Sequence, residues 1–239
     1  MANSKSKHLI VGFGEVGKSL YELIDEAGFE VEALDIDDRI AEKKFHVLHV
    51  CFPYSESFVR DVKQYQSMDL VDGGLTIIHA TVPVGTTEQI PGAVHSPVRG
   101  VHPNLKKGLQ TFVKYVGGPR CLEASEVLQD IGIKFTMATD SSKTTEAIKL
   151  WDTTYYGWNI IFEKQVKAYC DKHGLDFDLV YEHANQTYNQ GYSALGNWRV
   201  IRPILKDMPG KIGGHCVVQN CDLLDDDIAG FLKQFDSKL

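Results

Sequence analysis

Cys216 ends the run Gly210-Lys211-Ile212-Gly213-Gly214-His215-Cys216, and Gly12-Phe13-Gly14-Glu15-Val16-Gly17 lies near the start of the same chain. A thiolate is a strong nucleophile toward carbon. Paired with a nicotinamide-type fingerprint, it suggests oxidation through a covalent thio(hemi)acetal and thioester. Gly213 and Gly214 permit close backbone approach to a ligand, although an ordinary loop with a buried thiol has the same sequence. Lys149, in Glu146-Ala147-Ile148-Lys149, adjoins Leu150 and Trp151. An ammonium desolvated among apolar neighbours is a candidate functional group. On an amphipathic helix the same side chain could instead snorkel to solvent.

These groups need a scaffold, and its first part is legible. His8 to Val11 is a short apolar run leading into the glycines. Leu20, Leu23, Ile24 and Ala27 then recur at helical spacing until Gly28, and Val31, Ala33, Leu34 and Ile36 form a second strand. Gly12 allows the tight turn, Gly14 lets a pyrophosphate approach the helix N-terminus, and Gly17 lets helix and strand pack closely. Asp35, 18 residues after Gly17, is placed to accept hydrogen bonds from ribose hydroxyls and to repel a 2′-phosphate, which favours NAD over NADP. Phe13, Glu15, Val16, Pro53 and Thr81 complete the expected cofactor-binding set. The alternative is a glycine turn in a doubly wound protein that binds no nucleotide.

The link from the second strand to the next apolar run, 46–52, is so short that one βα unit of a full Rossmann half is missing, which predicts a small sheet. His46 and His49 fall on opposite faces of a strand, so no metal site is assigned to them. A helix over 55–66, a strand over 75–80, a strand over 112–116, a helix over 124–131 and a strand over 135–137 complete the first domain, 1–140. From 141 to 239 the chain reads as a smaller, mainly helical substrate and dimerisation domain. Apolar residues populate nearly every side of a long central helix over 143–172, which predicts a homodimer built on it. Asp176 is a plausible N-cap for a second helix, and 225–235 has the pattern of a last amphipathic one. The fold class is α/β, a compact Rossmann-like parallel sheet domain followed by the helical one.

A chain of 239 residues that is 43% hydrophobic and 24% charged is ordinary for a globular protein. Its formal net charge of -7 argues against nucleic-acid binding, which needs a basic face. No stretch approaches a membrane span and no leader is recognisable, so a cytoplasmic location and a small-molecule substrate are expected. Five cysteines without CxxC spacing do not form a disulfide framework or a zinc knuckle.

The order VGFGEVG, ATVPVGTT at 80–87, SPVRG at 96–100, TTEAIKLWDTT at 144–154 and KIGGHC at 211–216 resembles the UDP-glucose and GDP-mannose (nucleotide-sugar) dehydrogenase family. The resemblance implies oxidation of a sugar alcohol to a carboxylate by two NAD⁺. In that scheme Cys216 captures the intermediate aldehyde, Lys149 holds the substrate oxygen and Thr81 helps position water. It also shows departures. The family's glutamate after Ser-Pro is Val98 here, the asparagine four residues after the lysine is Thr153, and the acid four residues after the cysteine is Asn220. These losses fall on the groups that activate water and place full four-electron oxidation in doubt.

His102, or His215 beside the thiol, could serve as base, or either could be an ordinary loop histidine. Arg99, Arg199 and Arg202 could anchor a phosphate or carboxylate, with Thr153, Gly213 and Gly214 near the substrate, although arginines of this kind are also plain surface. Family members continue into a further nucleotide-gripping domain, so the resemblance implies a truncated form. Its substrate would then be a free or phosphorylated sugar or another hydroxy compound, unless a neighbouring subunit supplies the missing wall. Three functions therefore stand: an NAD-dependent dehydrogenase using Cys216 covalently, a simple two-electron dehydrogenase or reductase, and a catalytically inactive NAD-binding module.

Overall fold

The computed structural model describes residues 6–35, 44–100, 103–213 and 216–238. It divides into two compact units, Met1–Lys149 and Leu150–Leu239.

The first unit is built on one seven-stranded sheet: β1 (Lys7–Val11), β2 (Glu30–Leu34), β3 (Phe45–Val50), β4 (Leu70–Ile78), β5 (Ala93–His95), β6 (Lys114–Gly117) and β7 (Thr136–Thr139). The order is β2-β1-β3-β4-β5-β6-β7, parallel throughout except for the β5–β6 pair. The expected small sheet is therefore corrected. The missing βα unit leaves β2 at the edge, but β5 and the antiparallel turn into β6 and β7 extend the other side. β5 escaped sequence reading because Ala93–His95 is only three residues long, below the length at which alternation is visible.

Four helices belong with this sheet: α1 (Glu15–Glu26), α2 (Phe58–Asp69), α3 (Leu105–Thr111) and α4 (Cys121–Asp130). α1 forms because Leu20, Leu23 and Ile24 fall on one face, all buried, and Gly28 with φ 77° ends it. Each such aliphatic contributes about 2 kcal/mol relative to exposure. Their burial joins Ile10, Val47, Ile77, Val94 and Val116 in one core on one face of the sheet, while Leu9, Val11, Leu48, Val50 and Ile78 form a second core on the other. Alternate residues of each strand thus serve different cores.

α5 (Ser142–His173) begins in the first unit and continues into the second. Its first turns belong with the sheet for a polar reason: Glu146, fully buried, accepts hydrogen bonds from the Gly85 and Thr87 amides at 2.6 and 2.8 Å. A buried carboxylate held by backbone amides ties helix to loop. A division at 140/141 would have assigned these turns to the helical part.

In the second unit, π-helical turns over Asp178–His183 run into α6 (Ala184–Ala194), followed by α7 (Cys216–Cys221) and α8 (Asp227–Asp236). Asp176 Oδ1 accepts from the Leu179 amide at 3.1 Å, the bond expected of a cap. Asp226 caps α8 by accepting from Ile228 N at 3.0 Å. Ile161, Ile212, Val217, Cys221, Ala229 and Leu232 form this unit's main core. No helix among the described residues is long and apolar enough to cross a membrane.

Candidate functional site

Parallel strands place their carboxyl ends together, and this alone assembles the first unit's candidate groups. Gly12 follows β1, Asp35 follows β2, Pro53 lies just beyond β3, Thr81 just beyond β4, and Ser96 to Arg99 just beyond β5. The Gly12 amide donates to Leu34 O at 2.9 Å, setting the glycine turn beside Asp35. Ligands of open α/β sheets bind at this edge.

The glycine turn is tight where it meets protein and open where it meets solvent. Gly12 has φ 93°, and a Cβ there would stand 2.6 Å from Phe52 N. A Cβ on Gly17 would stand 2.1 Å from Gly12 O. Gly14, the N-cap of α1, has nothing within 4 Å of the same construction, and no side chain caps the helix. Room beside Gly14 at a helix N-terminus that no side chain caps is a geometry that fits a pyrophosphate. Glu15 lies in the first turn, Val16 packs against the core, and Phe13 makes an edge contact with Tyr21 at 5.7 Å.

Lys149, half-buried, donates from Nζ to Val98 O at 2.9 Å. Val98 itself is buried, so the position where the family resemblance places a carboxylate contributes a backbone carbonyl here. Arg99 lies over the Tyr115 ring at 5.7 Å. His95 bonds Thr145 Oγ1 and Ala80 O at 2.9 and 3.1 Å, and burial pushes its pKa down to about 3. It is neutral at all ordinary pH values.

Three further histidines form a buried row absent from the sequence reading. His8 Nδ1 and His49 Nε2 are 3.0 Å apart, as are His49 Nδ1 and His79 Nε2. The strand register explains the row: His49 pairs with Ile10, two residues beyond His8, and His79 lies two residues beyond Ile77, the partner of His49. Each step of two keeps the side chain on one face while moving toward the carboxyl end. Burial depresses all three, His8 to about 4 and the others well below the usual range.

The second unit carries Cys216, exposed at the start of α7. Its neighbours fix the backbone: Val217 and Cys221 are buried in the main core, and the Ile212 amide donates to Asp236 Oδ1 at 2.6 Å. Gly213 is exposed, whereas Gly214, His215 and His102 lie outside the described residues. Thr153 and Asn220, two of the departures, meet. Asn220 Nδ2 donates to Thr153 Oγ1 at 3.3 Å, and Thr153 Oγ1 donates to Leu150 O at 3.0 Å. The pair is buried and uncharged. Sequence distance hid this contact, which only the packing of α7 beside α5 produces.

Arg199 is exposed in a single turn over Trp198–Val200. Arg202 stacks on Tyr188 with its guanidinium carbon 3.4 Å from the ring centroid, and its backbone pairs with the Asn189 amide at 2.9 Å. Among the described residues no group of three or more His, Cys, Asp or Glu side chains is arranged to hold a metal ion.

No protein-family model matches the chain. An NDP-N-acetyl-D-galactosaminuronic acid dehydrogenase of Ralstonia solanacearum is 24% identical over 170 residues, covering 61% of this chain and 37% of that protein. A UDP-N-acetyl-D-mannosamine dehydrogenase of Methanocaldococcus jannaschii is 26% identical over 175 residues, covering 69% and 37%. The matched region thus spans little more than a third of these curated relatives. Among solved structures, a UDP-D-ManNAc dehydrogenase from Pyrococcus horikoshii superposes with a TM-score of 0.79 at 19% identity, covering 97% of this chain and 68% of that one. The curated relatives named here are nucleotide-sugar dehydrogenases, matched at low identity and over part of their length, and the solved structures share the chain's fold, among them a 3-hydroxyisobutyrate dehydrogenase of Mycobacterium tuberculosis with a TM-score of 0.70 at 16% identity, covering 98% of this chain and 93% of that one.

Proposed function

We propose that the chain binds NAD at the glycine turn and acts as an oxidoreductase on a hydroxyl of a sugar-like or other hydroxy substrate. The observation that carries this reading is the uncapped start of α1 at Gly14, open to a pyrophosphate while Gly12 and Gly17 close the turn beneath it. Asp35 accepts from the ribose hydroxyls, and Pro53 and Thr81 border the same edge. When bound there, the nicotinamide would supply a hydride acceptor.

The chain's own residues then have distinct duties. The Lys149 ammonium, half-buried and oriented by Val98 O, holds the substrate oxygen and stabilises its negative charge while the hydroxyl proton passes to the candidate base and the carbinol C–H would leave as hydride to NAD⁺. Cys216 Sγ adds to the resulting aldehyde carbon, and its proton passes to the carbonyl oxygen, giving a thiohemiacetal. Loss of a second hydride, to a second NAD⁺, with the hydroxyl proton passing to base, would give a thioester, and water would release the acid and regenerate the thiol. Thr81 orients that water, His102 is the candidate base, and Arg99, Arg199 and Arg202 are candidate anion contacts. Two copies meet along α5, where Trp151, Tyr155, Tyr156, Phe162 and Tyr169 are exposed.

A second reading has its own support. Val98 and the uncharged Thr153–Asn220 pair leave no carboxylate at the positions that would activate water, which favours a two-electron reaction in which the thiol is a bystander. The test is NADH formation across nucleotide sugars, sugar phosphates and hydroxy acids, with mass spectrometry of enzyme trapped with substrate and NAD⁺. The covalent route expects an acyl adduct on Cys216 and loss of turnover in Cys216→Ala. Wild-type turnover in that variant leaves the two-electron route. NAD binding with no turnover on any substrate identifies an inactive NAD-binding module.

A further inference from the structure

We propose that Lys114 is a positioning residue for this site: from inside the core it fixes the Ser96 and Pro97 carbonyls so that the next carbonyl, Val98 O, is set against the Lys149 ammonium. The inference rests on the role given above to Lys149.

Lys114 opens β6, and strand alternation places it on the same face as Val116, within the core of Ile10, Val47 and Ile77. It is 3% exposed. Its Nζ donates to Ser96 O at 2.6 Å and to Pro97 O at 3.2 Å, while Lys149 Nζ donates to Val98 O at 2.9 Å. Ser96 Oγ adds a bond to Tyr115 O at 2.9 Å. Three successive carbonyls of one loop are thus each held by an ammonium, from a strand and a helix distant in sequence. The three carbonyls are consecutive and the ring of Pro97 fixes φ at the middle residue, so holding the carbonyls of Ser96 and Pro97 limits the orientations open to that of Val98.

An apolar residue at 114 would suit the surrounding core better, because burying an ammonium among apolar groups carries a large desolvation penalty. The titratable groups facing Lys114 do not offset it. They are Cys51 beyond β3, His49 of β3, His79 beyond β4, His95 of β5 and Lys149 of α5: a thiol, three imidazoles and a second ammonium. Burial first, and the nearby Lys149, bring its pKa down to about 7, with Cys51 acting in the opposite sense. A lysine retained at such a disadvantage is explained by what it holds. Its charge also changes near neutrality, within reach of the ammonium assigned to the substrate oxygen.

The experiment follows both lysines by carbon NMR of protein labelled at lysine Cε, with Lys149→Arg used only to assign the Lys149 signal. In the wild-type chain Lys114 is expected to titrate near pH 7, and the Lys149 signal to show an inflection at the same pH. Lys114→Met should abolish that inflection while keeping or raising the melting temperature, since the desolvation penalty is removed. On a substrate found in the panel above, the variant should lose about tenfold or more in kcat/KM, lose any pH dependence near neutrality and keep its NAD affinity. A Lys149 signal without the inflection in the wild-type chain, which needs no variant to fold, overturns the inference. So does full kcat/KM in Lys114→Met. If the coupled titration is present and no substrate turns over, the functional reading fails and the positioning of Lys149 stands.

Discussion

The two units differ in how much apolar surface they leave open. In Met1–Lys149, Glu146, Lys114, His8, His49 and His95 are buried, and each has a specific partner. Leu150–Leu239 buries Glu163, Lys164 and Asp236 too, but exposed large apolar groups crowd its helices and loops: Tyr155 is 64% exposed, Phe162 62% and Trp198 69%, and α6 buries no residue at all. A parallel sheet covered on both faces must satisfy whatever polar groups its interior holds, so its contacts are closed and exact in register. A helical unit of this size has no such enclosure, and the apolar faces it leaves open are those another surface can cover.

The contrast can be broken most severely at the glycine turn. Gly17→Val drives a side chain into Gly12 O, which a Cβ would already meet at 2.1 Å. The loss should be at least about 4 kcal/mol in urea unfolding, together with NAD binding. A tolerated Gly17→Val would mean that the turn gives way easily and that the first unit is not closed in the sense argued here.

The histidine row predicts the next largest effect. His8 has a folded pKa near 4 against 6.5 in the unfolded chain. The unfolded chain therefore takes up its proton first as pH falls. Stability conferred by the neutral imidazole is fully present above pH 6.5 and is lost as pH drops toward 4, by about 3 kcal/mol from this residue alone. His49 and His79 shift in the same direction, so acid adds to the loss. Urea midpoints measured at successive pH values check the slope, and His8→Leu should flatten it. An acid limb unchanged in that variant would place the pH dependence elsewhere.

The smallest effect on stability is expected in the second unit. Phe162→Glu alters an exposed side chain, so the monomer should change by no more than about 0.5 kcal/mol. The same substitution should dissociate the proposed dimer in sedimentation velocity. If the dimer persists, α5 is not its seam, and the open apolar face needs another occupant.

Much of the first unit could be read before any coordinates. The run from His8 to Leu34 specifies strand, turn, helix and strand because glycine spacing and the positions of Leu20, Leu23 and Ile24 all agree locally. Asp176 as a cap was legible for the same reason. The partnerships were not legible. Lys114 looked like an ordinary strand residue, and Thr153 and Asn220 looked like two separate departures, although they bond each other across 67 residues of sequence.

The sequence by itself determined the βαβ opening, the long helix and the candidate chemistry of Cys216 and Lys149, because these follow from periodicity, glycine spacing and residue type. Tertiary structure alone decided that β3 crosses to the far side of β1, so that His8, His49 and His79 line up. It also decided that β6 carries Lys114 beneath the Ser96–Val98 carbonyls. Alternation says which face a side chain takes, not which strand will lie next to it. Neighbourhood is set by how the whole sheet closes over its cores, and that is where the polar contacts of the site are fixed.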